Sequence, residues 1–199
     1  RVLHIHRDAG QSGGAGGIAM YRLHRSLLRL GLDSKILVLQ DAGYGPDVSL
    51  LPRIETFSLE RRVRSVTGRL GLNDLHRLGS FQLDRHTFFQ NADLVHFHCM
   101  HSGTFSYLAL PRIASSRPCV LSLHDTWAFT GHCGYGYGCE RWKTGCGECP
   151  YPEEDPAIAR DATHLEWRMK TRAFLKSGIR LVSKSAWTTR MASVSALRH

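Results

Sequence analysis

The chain has 199 residues, 42% of them hydrophobic, and 26 Lys+Arg against 17 Asp+Glu give it a formal net charge of +9. That length and apolar content support one good-sized domain with a real core, and the charge favours anionic partners such as nucleotide phosphates or acidic lipid head groups. The aromatics do not interleave with the basic residues, which argues against nucleic acid; no apolar run is long enough for a transmembrane helix, and six cysteines in a core-capable domain are not a disulfide scaffold.

Residues 2–6 read as a strand already under way, with no secretory leader before it. Residues 7–17 form a loop of small residues, and 18–30 a helix with Met20, Leu23, Leu27 and Leu30 on one face, stopped by Gly31. Residues 35–39, Lys-Ile-Leu-Val-Leu, form a strand buried on both faces, so a β-loop-α-β unit of a parallel sheet is complete by residue 40. Loop is expected at 41–52 and a basic amphipathic helix at 57–72. A helix at 84–91, a strand at 94–98, a helix at 104–114 interrupted by Pro111 and a buried strand at 119–123 follow. The last expected elements are a helix at 161–176 with Leu165, Met169 and Phe174 inward, a strand at 180–183 and a helix at 185–199. The alternation predicts one α/β domain, a Rossmann-like parallel sheet with helices on both faces. The start without Met and the stop inside a helix read as an excised segment of a longer protein.

The Ser12-Gly13-Gly14-Ala15-Gly16-Gly17 run lies between a strand and a helix. Glycines let backbone N–H groups approach a phosphate, and the helix start adds partial positive charge. Residues 14–19 satisfy the dinucleotide pattern G-x-G-x-x-G/A, and Asp41 falls where a ribose-binding acid belongs. A complete NAD(P)-binding oxidoreductase is therefore one alternative, although six residues intervene between strand and glycines and make the loop more open than that motif has it.

Three expected strands end in histidine: His6, His98 (with His101 just after it) and His124. Ligands of an open α/β sheet bind beyond the carboxyl ends of its strands, which makes His124 and the adjacent Asp125 the leading catalytic candidates; a carboxylate can set the tautomer or charge of an imidazole. His4 alternates away and reads as structural. No G-x-S-x-G elbow is present.

Cys133, Cys139, Cys146 and Cys149 follow in a Gly-rich segment. Four thiolates suit a tetrahedral structural zinc site, with His132 as a substitute ligand. Disulfides or packed thiols are the other readings, and a zinc-stabilised, non-enzymatic interaction domain is a further alternative for the whole chain. Cys99 and Cys119 read as core residues.

Gly13-Gly14-Ala15-Gly16-Gly17 with Tyr21-Arg22-Leu23-His24, then Ala92-Asp93-Leu94-Val95-His96-Phe97-His98, then Leu123-His124-Asp125-Thr126-Trp127 through Cys149-Pro150 together resemble the amino-terminal domain of a family 4 retaining glycosyltransferase of the GT-B fold. The Cys-bearing part is similar to a subgroup of bacterial polysaccharide-building enzymes. The resemblance implies a nucleotide-sugar donor, a saccharide or lipid-linked acceptor, transfer with retention, and no catalytic metal. It implies that Gly14, Gly16 and Gly17 face the donor diphosphate and that His124 lies beside the reacting sugar, with Asp125 orienting it. His98 and His101 are the acceptor-side candidates. It further implies a second, donor-binding domain that this chain lacks. That domain carries an E-x7-E motif; Glu140 and Glu148 have the spacing but sit in the Cys-rich segment. The fragment alone is expected to be inactive. The expected location is cytoplasmic, with peripheral contact to an anionic membrane through residues 57–72 as an open option.

Overall fold

The computed structural model describes residues 1–40, 43–53 and 57–198, apart from the side chains of Gln11, Ser12 and Phe57. Six strands, β1 (Val2–Ile5), β2 (Ser34–Val38), β3 (Val48–Leu50), β4 (Leu94–Phe97), β5 (Cys119–Leu123) and β6 (Arg180–Ser183), form one sheet in the order β3-β2-β1-β4-β5-β6. Every adjacent pair is parallel. This is the doubly wound order, with its switch point between β1 and β4.

The helices are α1 (Gly14–Arg29), α2 (Phe57–Arg69), α3 (Thr87–Gln90), α4 (Leu110–Ser116), α5 (Thr163–Ser177) and α6 (Ala186–Ser193). The end of α5 follows from Gly178, which takes the left-handed conformation at φ 60° that only glycine adopts without cost. Ser185 starts α6 by accepting a hydrogen bond from the Thr188 amide.

The two faces of the sheet differ. Leu3, Ile5, Leu37, Val95, Phe97, Leu121 and Leu123 point to one side and join Phe105, Tyr107, Ile113 and Phe174 in the main core. By strand register the other side carries His4, His96 and Ser122 on adjacent strands, with Ser34 on β2. There α1 covers a small apolar cluster of Met20, Ile36, Val38 and Val48 beside this polar stripe, and its His24 bonds Ser34 Oγ at 2.8 Å.

Several expectations are corrected. The first helix starts at Gly14, not residue 18, so the glycines form its first turn. Its buried stripe is Gly17, Met20 and His24, whereas Leu23 and Leu30 are exposed, because the sheet beneath it is part apolar, under Met20, and part polar, under His24. Val48–Leu50, within the expected loop, is the edge strand β3. Residues 78–85 coil as a 3-10 helix ahead of the short α3. Pro111 sits in the first turn of α4 and so starts that helix instead of interrupting it. In α5 Leu165 is exposed, and the buried face is Thr163, Glu166, Lys170, Ala173 and Phe174. The last helix ends at Ser193.

Candidate active site

His6, His98 and His124 each follow directly on a strand: β1, β4 and β5, neighbours in the sheet. Their convergence at the carboxyl edge is therefore a consequence of topology. Together with Arg7, Asp8, Gly13, Gly16, Cys99, His101, Ser102 and Asp125 they line a cavity of about 390 Å³. The start of α1 forms its opposite wall. A β-carbon placed on Gly16 would lie 2.9 Å from His6 Nε2 and 3.6 Å from His124 Nδ1, so glycine is what allows the helix to approach the imidazoles. Gly14 has φ 58° and open space where a β-carbon would be; Gly17 is buried in the same turn.

His101 Nε2 sits 2.9 Å from Asp125 Oδ2. Burial alone would lower the His101 pKa, but the Asp125 carboxylate leads the groups that overcome it and push it up to about 11. Burial raises Asp125, yet the bond from His101 and the Trp127 amide, 3.0 Å from Oδ1, hold its carboxyl below the usual range. Both directions describe an ion pair. His124 is the opposite case. Burial first, then the Lys184 charge, lower its pKa to about 4, so it is neutral at pH 7.

Lys184 Nζ lies 2.6 Å from His124 Nδ1. A lysine ammonium only donates, which places the His124 proton on Nε2, 3.4 Å from His98 Nδ1. His98 Nε2 then donates to His4 Nδ1 at 3.1 Å. The row ends at His4 Nε2, which is buried without a hydrogen-bond partner among the described residues. His98 lines the cavity, but its two ring nitrogens face these other imidazoles. Lys184 was missed by sequence reading, although it follows β6 as His124 follows β5, and the same strand-end rule would have found it. His4, expected to be structural, is fully buried in this row.

Cys119 is buried in β5 as expected, whereas Cys99 is not core: it lies beyond β4, half-buried, and lines the cavity. Asp41 lies outside the described residues, and the glycine pattern opens after a 3-10 turn, Gly10–Gly13, instead of directly after β1. A second cavity of about 550 Å³ shares Arg7 and Ser102 with the first and adds Arg64, His76 and Arg77.

Cys133, Cys139, Cys146 and Cys149 line a separate small cavity of about 20 Å³ with His132, room for one water-sized occupant. The Gly131 amide donates to Cys146 Sγ at 3.1 Å. His132 Nδ1 lies 2.9 Å from the Pro156 carbonyl, which leaves Nε2, 3.2 Å from Cys149 Sγ, as the unprotonated nitrogen. Burial raises the thiols of Cys133 and Cys149, and that of Cys146 to about 12. Glu140 and Glu148 are exposed and paired within this segment with Lys143 and Arg141.

Residues 13–177 match the model of Glycosyltransferase Family 4. The chain is 30% identical, over 189 residues and 87% of its length, to a putative colanic acid biosynthesis glycosyl transferase, WcaC, of Escherichia coli K12. It spans about half of that relative, 46% of its length. No solved structure gives a significant match.

Proposed function

The chain belongs to glycosyltransferase family 4, and on that premise we propose that it forms the acceptor-side half of an enzyme that moves a sugar from a nucleotide-sugar to a saccharide or lipid-linked acceptor with retention. The observation that carries this reading is the approach of the Gly16 backbone to His6 and His124 at one rim. Departure of a nucleoside diphosphate leaves growing negative charge. The first-turn amides of α1 at Gly14 and Gly16 precede the first intrahelical hydrogen bond, and with Gly17 they lie at the positive end of the helix dipole, which suits them to that charge. His124, neutral, lies beside the reacting sugar without bringing a full charge of its own, and a sugar hydroxyl would bond its Nε2 in place of the long 3.4 Å contact to His98. Asp125 is committed to His101 and the Trp127 amide, so it orients the rim and is not a nucleophile, in keeping with retention that needs no enzyme carboxylate. Arg7, Arg64 and Arg77 outnumber Asp74 and Asp155 in the lining of the second cavity, although Arg7 pairs with Asp8 and Arg77 with Glu60; the remaining excess favours an anionic acceptor, with His98 and His101 on the side between.

On this reading a donor-binding domain belongs to the part of the full-length enzyme outside these residues, as the chain spans 46% of the relative's length. Among the described residues no helix is long and apolar enough to cross a membrane. Exposed Leu59, Val66 and Leu70 with Arg61, Arg62, Arg64 and Arg69 along and just beyond α2 would let it rest on an anionic cytoplasmic leaflet. A structural zinc ion bound by Cys133, Cys139, Cys146 and Cys149, with His132 Nε2 as an available nitrogen, would have to draw these thiols closer together than they stand, and would then pin that loop beside Asp125.

The test is sugar transfer by the full-length protein from a panel of labelled nucleotide-sugars to extracted lipid-linked acceptors. Transfer with retained anomeric configuration is expected; absence of transfer and of nucleotide-sugar binding across the panel overturns the reading.

A further inference from the structure

Beneath α1 the polar stripe of the sheet holds a histidine cluster of which the transfer reading uses only His98. One nitrogen from each of His4, His96 and His98 lies within 4.8 Å of the others. Among the described residues this is the set of three or more potential metal-ligand atoms that converges so closely; the four loop cysteines do not. His4 and His98 are almost fully buried, and His96 is half-buried. His4 and His96 are register partners on β1 and β4, and His98 follows on the same face, so the spacing is fixed by strand pairing and not by flexible loops.

We propose that His4, His96 and His98 form a second metal site, one that binds a zinc-class divalent ion through three imidazole nitrogens. The proposal does not depend on the transfer reaction. A tetrahedral ion with Zn–N bonds of about 2.0–2.1 Å needs nitrogens about 3.3 Å apart, and His4 Nδ1 lies 3.1 Å from His98 Nε2. The donor chemistry matches, since imidazole suits zinc, cobalt and nickel. His96 Nε2 lies 2.8 Å from Ser122 Oγ, so His96 can ligate through Nδ1 while Ser122 orients the ring, the usual outer support of a metal-bound histidine. His98 lines the main cavity, which gives the ion an entry path. With the ion on Nε2, His98 carries its proton on Nδ1 and points it at His124 Nε2. Occupancy thus switches the proton of His124 to Nδ1 and turns Lys184 away to solvent.

The test adds Co2+ to the metal-stripped protein and reads its visible spectrum. We expect one component without thiolate charge transfer, from the histidine set, separate from any sulfur-ligated ion in the Cys loop. Ser122→Ala weakens the sulfur-free component by about tenfold. His96→Gln removes it and leaves any thiolate component, with circular dichroism as the fold control. A folded wild-type protein with no sulfur-free component, or one in which it survives His96→Gln, overturns the proposal. If His96→Gln does not fold, the wild type decides: Zn2+ must shift the ring 15N resonances of His4, His96 and His98 together, and unchanged resonances overturn it.

Discussion

His101 Nε2 and Asp125 Oδ2, 2.9 Å apart, join the turn after β4 to the turn after β5 across the floor of the rim cavity. The pair fixes the carboxylate next to His124 while leaving His124 itself uncharged. One histidine of the rim is thus an imidazolium and its neighbour a neutral base.

The folded pKa of His101 is raised, so its contribution to stability is full below the unfolded value near 6.5 and is lost as pH rises toward about 11. Asp125 is depressed, so its contribution is present above the unfolded carboxylate value and lost as pH falls through the folded one. NMR titration should show no His101 event between pH 6 and 9. Asp125→Asn should bring that event into the range and cost about 2 kcal/mol of stability. A His101 that titrates normally in the unmutated protein contradicts the ion pair.

Lys184 sits on His124 Nδ1 and helps to lower its pKa. Replacing the cation with an isosteric neutral chain, Lys184→Met, should raise the His124 pKa, and Lys184→Arg should largely restore it. The His124 ring resonances followed against pH check this; an unmoved midpoint in Lys184→Met rules out the contact.

In the metal-stripped protein, His4, His24, His96 and His124 all have lowered pKa values, with burial the largest cause in each. Their stabilising effect is full above the unfolded value near 6.5 and is lost as pH falls through the window down to the folded values, about 4 for His96 and His124. Each contributes a slope of up to about 1.4 kcal/mol per pH unit there. Urea unfolding should show stability falling from pH 6.5 to pH 4; a flat profile would mean that these rings are not buried as neutral groups.

Gly16 and Gly71 separate function from fold. A β-carbon on Gly71 would lie 1.9 Å from the Arg160 carbonyl oxygen, at φ 75°, so Gly71→Ala should cost about 2–4 kcal/mol. At Gly16 the obstruction is the His6 ring, 2.9 Å away, and Gly16→Ala should displace it, lowering transfer at least tenfold while shifting the melting temperature much less than Gly71→Ala does. Equal losses of stability would remove the distinction.

The strand ends were legible in the sequence because each apolar run stops at a histidine, and that rule alone gathers His6, His98 and His124. The inward faces of α1 and α5 were not. Periodicity assumes apolar residues point inward, but in α5 the buried face carries Glu166 and Lys170, whose Nζ donates to the Trp127 carbonyl at 2.8 Å and lies 4.0 Å from the Trp127 ring centroid. Under α1 the sheet is partly serine and histidine, beside the small apolar cluster of Ile36, Val38 and Val48. β3 has three residues, too few to show alternation, and the 3-10 segments have no comparable period. The His4–His96–His98 set depended on strand register, which sequence spacing does not reveal.

Lys170 also gives a counterintuitive expectation. It is buried beside Glu166 and Asp74, whose carboxyls burial pushes up, that of Glu166 to about 7, against the pull of the Lys170 charge. Lys170→Met, although apolar, strands those carboxyls and should cost about 3 kcal/mol. Unchanged denaturant midpoints would show that the cation is dispensable.

The most direct measurement is the transfer rate of the full-length protein carrying His124→Ala, with its melting temperature taken alongside. A loss of at least a hundredfold in kcat with melting unchanged is the predicted result. A folded variant that transfers sugar at the parent rate would contradict the placement of the reacting sugar beside this imidazole.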